Sequence, residues 1–501
     1  QAQPFTIDRV EDPAMERVLL EAGEVDLFDT RFTTPSLTLE LSDTLAIAFA
    51  RSRDYQTRKE DLFVSALDLS GTRYDFGFLW SAGANASADR SETGYNSPQG
   101  TSTETFGRTR LRGAVEKTLA TGAVISLNLT HNFTRYWTND PRPDGTASVG
   151  FSVVQPLLRG AGALVAHEPL RQSERNMIYA VRDFSRYEKD FAIDIISQYF
   201  NLLSTLDRLE NQRLDYETAV YSADRSTAWA EAGRVSELEA DQARQRVLTA
   251  RNAWNDRQAQ YQEQLDRFKI ALGLPIILDI GPDPDELERL AERGLVWPDM
   301  QLSQAVDQAL DKRLDLKTTG DRLADRERKV KIALQNFLPN LDLGFDASVY
   351  ESREKFRPLP RWGNNDQSVS LDLGLPLDWT PRRNNYRRAL IERDRAEREL
   401  DESRDRVVLG VKDAWRQLEF QRKKYEIQQE SVRLAERRVE SALLLQEMGN
   451  AVQRDVTEAQ ESLLDARNGL TEALVAYTIQ RLEFWHAIEA LDIDVEGMWY
   501  E

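Results

Sequence analysis

The chain says the same thing twice. LSDTLAIAFARSRDY begins at Leu41 and LSQAVDQALDKRLDL at Leu302, an offset of 261 residues. The same offset lays DFGFLWSAGANAS (75–87) over NFLPNLDLGFDAS (336–348). A second match has an offset of 216: GRVSELEADQARQRVLTARN (233–252) lies over GNAVQRDVTEAQESLLDARN (449–468). Both copies end in Ala-Arg-Asn, at 250–252 and 466–468. An internal duplication restricts the fold to one unit built twice, with its elements in the same order.

Each copy predicts a helix, then strands, then a long helix, a glycine and a second helix. Residues 1–36 show no periodicity and are expected to form an irregular lead. The first repeat takes 37–272: a helix over about 38–73, strands within 76–155, a helix over 168–231, and a second helix to about 272 after Gly233. GLPIILDIGPDPDE breaks it and opens a linker over 273–300, with a short helix at 285–293. The second repeat takes 301–491: helix 301–336, strands within 339–377, helix 381–447, Gly449 and helix 451–490, before a tail over 492–501.

The long helices are the strongest physical constraint. Residues 381–447 contain no proline and one glycine, Gly410. About 65 residues at 1.5 Å rise make a rod of roughly 100 Å. Positions spaced three and four apart from Leu400 to Gln446 are mostly apolar or small: Leu400, Val407, Val411, Ala414, Leu418, Tyr425, Val432, Ala435, Val439 and Ala442. Arg404, Gln421, Gln428 and Gln446 interrupt them. A narrow apolar seam on a charged rod is a coiled-coil pattern. With the helix after each glycine it predicts two helical hairpins, with tips at 231–236 and 447–452.

The strand segments alternate cleanly. Val369, Leu371 and Leu373 oppose Ser370 and Asp372; Leu341, Leu343 and Phe345 oppose Asp342 and Gly344. Val149, Phe151 and Val153, and Ile125, Leu127, Leu129 and Phe133, repeat the pattern in the first repeat. Each strand therefore has one apolar face. A soluble sheet shows the same alternation, and so does a barrel wall between lipid and water. Aromatics cluster near the strand ends (Phe76, Phe78, Trp80, Tyr136, Trp137, Tyr350, Phe356, Trp362 and Trp379), which fits interfacial girdles.

Composition removes several functions. The net charge of −19 argues against a nucleic-acid backbone as partner. The absence of cysteine rules out disulfides, thiolate metal sites and cysteine catalysis. His131, His167 and His486 share no metal spacing, and no catalytic or phosphate-binding signature is present, so neither an enzyme nor a cofactor is expected. No apolar run is long enough for a transmembrane helix. A chain beginning at Gln1 is expected to have been processed or shortened.

This order of elements, duplicated, resembles the outer-membrane efflux protein family (TolC-type channels) over about 37–491. VGFSVVQPLLRGAG (149–162) is similar to the family's last strand before its first long helix, NFLPNLDLGFDAS to its second helix-to-strand entry, and GRVSELEADQAR and GNAVQRDVTEAQ to its two tip turns. The resemblance implies a mainly α fold with a membrane β-barrel. Duplicated units of strands and helical hairpins would form a trimeric β-barrel plus a periplasmic α-helical barrel. It implies an outer-membrane exit duct with a large periplasmic part. The partners implied are a homotrimer, a periplasmic adaptor, an inner-membrane pump or ABC transporter, and outer-membrane lipid. The family usually has two strands per repeat. Here the first repeat has room for four, about 78–89, 107–117, 123–137 and 147–155, with LATG (119–122) as a tight turn. Strands that extend the barrel are expected over a hairpin outside it.

The resemblance also implies site residues. The family's acidic constriction positions fall on Asp455 and Glu458, three apart and hence on one helix face. Glu239 holds the acidic position of the first tip, and Arg454 stands near a basic position here occupied by Ala451. The tip turns Ala232-Gly233-Arg234 and Met448-Gly449-Asn450 are candidate adaptor contacts. Against these stand plainer readings: solvated charges on a chain that is 30% charged, and glycines that merely cap helices. The competing whole-chain reading is a soluble periplasmic coiled-coil scaffold with a small β-domain.

Overall fold

The structure, a computed structural model, describes residue 35 and residues 37–93, 102–138, 142–353, 364–493 and 499–500. Apart from Pro35, the expected irregular lead lies outside them, as do Phe356 and Trp362. The elements run β1 (Leu37–Leu39), α1 (Leu41–Arg51), α2 (Arg53–Asp75), β2 (Leu79–Thr93), β3 (Ser102–Thr118), β4 (Val124–Tyr136), β5 (Pro143–Pro156), α3 (Ala163–Ala166), α4 (Glu168–Glu231) and α5 (Glu237–Ala271). There follow β6 (Ile280–Pro282), α6 (Asp285–Arg293), α7 (Leu302–Lys312), α8 (Leu314–Gln335), β7 (Asn340–Arg353), β8 (Asn365–Gly374), α9 (Thr380–Glu447), α10 (Gln453–Ala487), β9 (Asp492–Ile493) and β10 (Trp499–Tyr500).

Each expected entry helix is two helices. The first breaks at Ser52 (φ −60°, ψ 128°) and the second after Lys312, at Arg313 (φ −56°, ψ 123°). The two breaks are related by the offset of 261 and have almost the same dihedrals. One extended residue cannot continue the helical hydrogen-bond ladder, so the next helix starts in a new direction.

The chain divides into two compact units. One holds residues up to Glu60, Arg182–Lys317 and the chain from Glu402 onward. Its core gathers Leu45 and Ile47 of α1, Ile195, Tyr199, Phe200 and Leu202 of α4, Phe268 of α5, Ile280 of β6 and Leu482 of α10. β1 and β6 pair in parallel, Leu37 with Ile280. The Tyr199 hydroxyl, buried among them, donates to the Leu39 carbonyl at 3.0 Å.

In this unit the duplication is visible residue by residue. Buried positions recur at the offset of 216: Phe191 and Val407, Ile195 and Val411, Leu202 and Leu418, Ala219 and Ala435, Ala240 and Val456, Ala243 and Ala459, Ala250 and Ala466. Spacings of three, four and seven within each set are those of a coiled-coil seam. Toward the tips most seam residues shrink to alanine, Val456 excepted, which lets helices approach closely. Of the seam from Leu400 to Gln446, Arg404 alone is exposed.

The other unit, Asp61–Val181 with Thr318–Asp401, holds the strands. All six form one antiparallel sheet in the order β2-β3-β4-β5-β7-β8. The additional strands thus extend the same sheet. The β3–β4 turn is the LATG segment: Leu119 donates to the Ala123 carbonyl at 2.7 Å, and Gly122 adopts φ 86°. A side chain at Gly122 would meet the Gly160 carbonyl, so glycine suits both its dihedral and its space. Below the sheet α4 and α8 share a charged cluster. Asp325, 4% exposed, accepts from the Tyr179 hydroxyl at 2.7 Å, Arg328 at 2.9 Å and Arg175 at 3.1 Å. Arg328 also pairs with Glu168 at 2.6 Å.

Candidate conduit wall and hairpin tips

The register puts apolar residues of all six strands on one face. Across β2 to β5, Trp80 pairs with Val115, Val115 with Leu127 and Leu127 with Phe151. Across β7 and β8, Phe345 pairs with Val369 and Leu343 with Leu371. This face is exposed: Trp80 73%, Val369 74%, Leu371 63%. An exposed apolar face of this extent marks a lipid or protein contact. Ile125 to Phe133 on β4, interrupted on this face by His131, spans about 26 Å at the rise of a strand, close to the height of a barrel's apolar band. The opposite face carries Ser, Thr, Asn, Asp and Arg side chains. The aromatic girdle is less regular than expected. Trp80 lies on the apolar face and Phe78 and Trp379 flank the same end, but the register puts Tyr136 and Tyr350 on the polar face.

The edges of this sheet, β2 and β8, have no strand partner among the described residues. An exposed edge of this length is a template for another strand. Because the sheet holds an even number of antiparallel strands, β8 runs opposite to β2. Identical copies set side by side would therefore continue the antiparallel pairing.

The two tips have one geometry. Gly233 takes φ 72° and Gly449 φ 75°. Arg234 donates to the Trp229 carbonyl and Asn450 to the Leu445 carbonyl, each at 2.8 Å. This six-residue closure with glycine in the left-handed region is a Schellman cap. The turns expose Arg234 and Asn450.

The four expected constriction residues occupy different environments. Glu458 is exposed, with Arg454 at 3.7 Å and Arg438 at 3.9 Å. Asp455 is half-buried and accepts the Val452 N–H at 3.2 Å, so its carboxylate caps α10. Glu239 stands at the matching place in α5, where its N–H donates to the Ser236 hydroxyl at 3.3 Å. Arg454 points into solvent, with its side chain 75% exposed.

A polar lock at the tips was not anticipated. Arg225 donates to Gln446 Oε1 at 2.6 Å, Gln446 donates to Gln453 Oε1 at 2.8 Å, and Ser226 donates to the same oxygen at 3.3 Å. It ties α4 of the first hairpin to α9 and α10 of the second. The signal was present: Gln446 interrupts an apolar seam, and a buried amide needs partners.

Residues 305–487 match the family model described as outer membrane efflux protein. That stretch lies within the second repeat, and over it the chain is similar to this family. Solved channels share its fold over nearly the whole length. The CmeC outer membrane channel of Campylobacter jejuni is 15% identical with a TM-score of 0.66, covering 94% of each chain. The MtrE outer membrane channel of Neisseria gonorrhoeae, in its open state, is 14% identical with a TM-score of 0.64, covering 93% of this chain and 95% of its own. VceC of Vibrio cholerae is 15% identical with a TM-score of 0.63, covering 89% and 95%. No curated protein matches.

Proposed function

We propose that three copies of the chain form a passive exit duct across the outer membrane and periplasm, within a tripartite efflux or type I secretion system. The observation that carries this is the single sheet with one exposed apolar face, one polar face and two open edges. In lipid such edges must be satisfied, and a barrel closed by further copies satisfies them. The polar faces then line water, and the helical hairpins stand in the periplasm. A periplasmic adaptor meets the tip turns 232–234 and 448–450, and an inner-membrane pump or ABC transporter delivers cargo through it.

At the tips, Asp455 and Glu458 form the constriction, with Glu239 and Arg454 beside them. Threefold symmetry multiplies these carboxylates around one axis and favours cations. Glu458 is the freer acid; Asp455 divides its charge with a cap.

Reconstitution of detergent-extracted protein into planar bilayers tests the reading. A trimer that conducts is the expected result, and a soluble, non-conducting monomer overturns it in favour of a scaffold. In the same assay Asp455→Ala with Glu458→Ala lowers cation selectivity; unchanged selectivity removes the constriction assignment. Cysteines at 234 and 450 should cross-link to the adaptor, and failure of both removes that contact.

A further inference from the structure

The polar face of the sheet is not uniform. Arg108, Arg110 and Arg112 follow one another on it along β3. Their register partners are Ser87, Asn85 and Gly83 on β2 and Thr134, Asn132 and Thr130 on β4, all uncharged. Arg110 Nε donates to Asn132 Oδ1 at 2.7 Å, and the Arg108 guanidinium stands 5.3 Å from the Phe106 ring centre. Among the described residues no carboxylate comes within ion-pair distance of the three.

Acids occupy the other side of this face. Asp342 on β7 lies directly across from Asp372 on β8, with Asp346 and Asp366 on the same face. Between the two stripes, β4 from Ser126 to Thr134 and β5 from Thr146 to Ser152 turn only Ser, Thr, Asn and Gly toward it. Of the remaining acids of the face, Asp89 lies diagonal to Arg108, across from Phe106, and Glu104, Glu116 and Asp144 stand toward the strand ends. Three strand spacings separate β3 from β7, about 14 Å. That exceeds the Debye length of roughly 8 Å at physiological salt, so the stripes do not neutralise each other. Guanidiniums about 7 Å apart along one strand repel, and an anion lying along them removes that repulsion. Arginine's planar fork matches carboxylate and phosphate oxygens two at a time.

We propose that Arg108, Arg110 and Arg112 form an anion-binding track in the conduit wall that takes solutes bearing phosphate or carboxylate groups. The aspartates of β7 and β8 hold the cationic end of an amphoteric solute on the same wall. This rests on the polar face lining the duct.

The test uses the full protein in planar bilayers, with inorganic tripolyphosphate added on the side of the barrel mouth. The wild-type current is blocked. Arg108→Gln with Arg110→Gln and Arg112→Gln raises the half-blocking concentration by about tenfold or more, the change expected when roughly 1.4 kcal/mol of binding is lost. The open conductance of this variant shows that it has folded. If the triple variant does not insert, R108Q and R112Q taken singly each raise the half-blocking concentration by about threefold. Equal block of wild type and variants, or a conducting wild type that tripolyphosphate leaves open, overturns the track. A wild type that does not conduct at all overturns the duct instead.

Discussion

Asp325 shows how much rests on single residues. Its carboxylate is almost wholly buried and holds donors from two helices: Tyr179, Gln172 and Arg175 on α4 and Arg328 on α8. Burial, and then the hydrogen bond to Asp325, push the Tyr179 phenol up. Asp325→Ala leaves two guanidiniums without this partner, and removing one member of a buried charge network costs about 3 kcal/mol or more. Thermal unfolding in detergent should show a clearly lowered midpoint, with Asp325→Asn losing less because the amide keeps an acceptor. Asp315 tests the sign of the electrostatics. Desolvation raises its pKa, but the Arg313 hydrogen bond and the charges of Arg186 and Arg313 outweigh it, and the net shift is downward. A depressed carboxylate binds fewer protons folded than unfolded, so its contribution is full above the ordinary carboxylate range. That contribution is lost as pH falls through the depressed folded value. Asp315→Asn should therefore flatten the acid limb of the stability curve. Since the Asp315 side chain is 42% exposed, screening limits the effect to about 1 kcal/mol.

Helices were the most legible elements in the sequence and strands the least. The bounds of α4 and α9 follow from periodicity and Gly/Pro punctuation, because a long amphipathic seam repeats its signal many times. The breaks at Ser52 and Arg313 left no such signal: neither Gly nor Pro marks them, and tertiary packing sets them. The alternation along β4, β5, β7 and β8 was plain. β2 was harder, since Ala82, Ala84, Ala86 and Ala88 make a weak apolar face. The arginine stripe of β3 emerged only when the register put its neighbours beside it. The tip lock was hidden for the same reason, because Arg225 and Gln446 are far apart in the chain. The seam itself yields a prediction. Leu418 is fully buried and matches Leu202 at the offset of 216. Leu418→Ala opens a cavity in a packed seam and costs about 2–5 kcal/mol. Ala435, its smaller counterpart nearer the tip, accepts no larger residue without pushing helices apart, so Ala435→Leu should also destabilise, by about 1–3 kcal/mol. Both are read from thermal unfolding, and an unchanged midpoint in either variant would mean that the seam does not hold the hairpins together.

For the whole molecule, the count of strands decides the width of the proposed duct. Six strands per chain in one sheet give three copies an eighteen-stranded wall. A family pattern of two strands per repeat would give twelve. At a strand spacing of about 4.8 Å and a tilt near 40°, the two barrels measure roughly 36 Å and 24 Å across the backbone. The wider one leaves an aqueous lumen even after side chains fill its rim, as in sixteen- to eighteen-stranded porins. Every junction between copies is antiparallel because the sheet is even-numbered, so closure asks for no exception to the ladder. Every strand contributes apolar residues to one face, from Trp80 on β2 to Val369 on β8, which is what an added pair must supply to stand in the lipid wall. Electron microscopy of the trimer should therefore count eighteen strands, and polyethylene glycol sizing from the barrel mouth should admit polymers too large for a twelve-stranded lumen. A twelve-stranded barrel with β2 and β3 peeled away would overturn the count. It would also remove the arginines of β3 from the wall, so the width of the barrel and the charge of its lining stand or fall together.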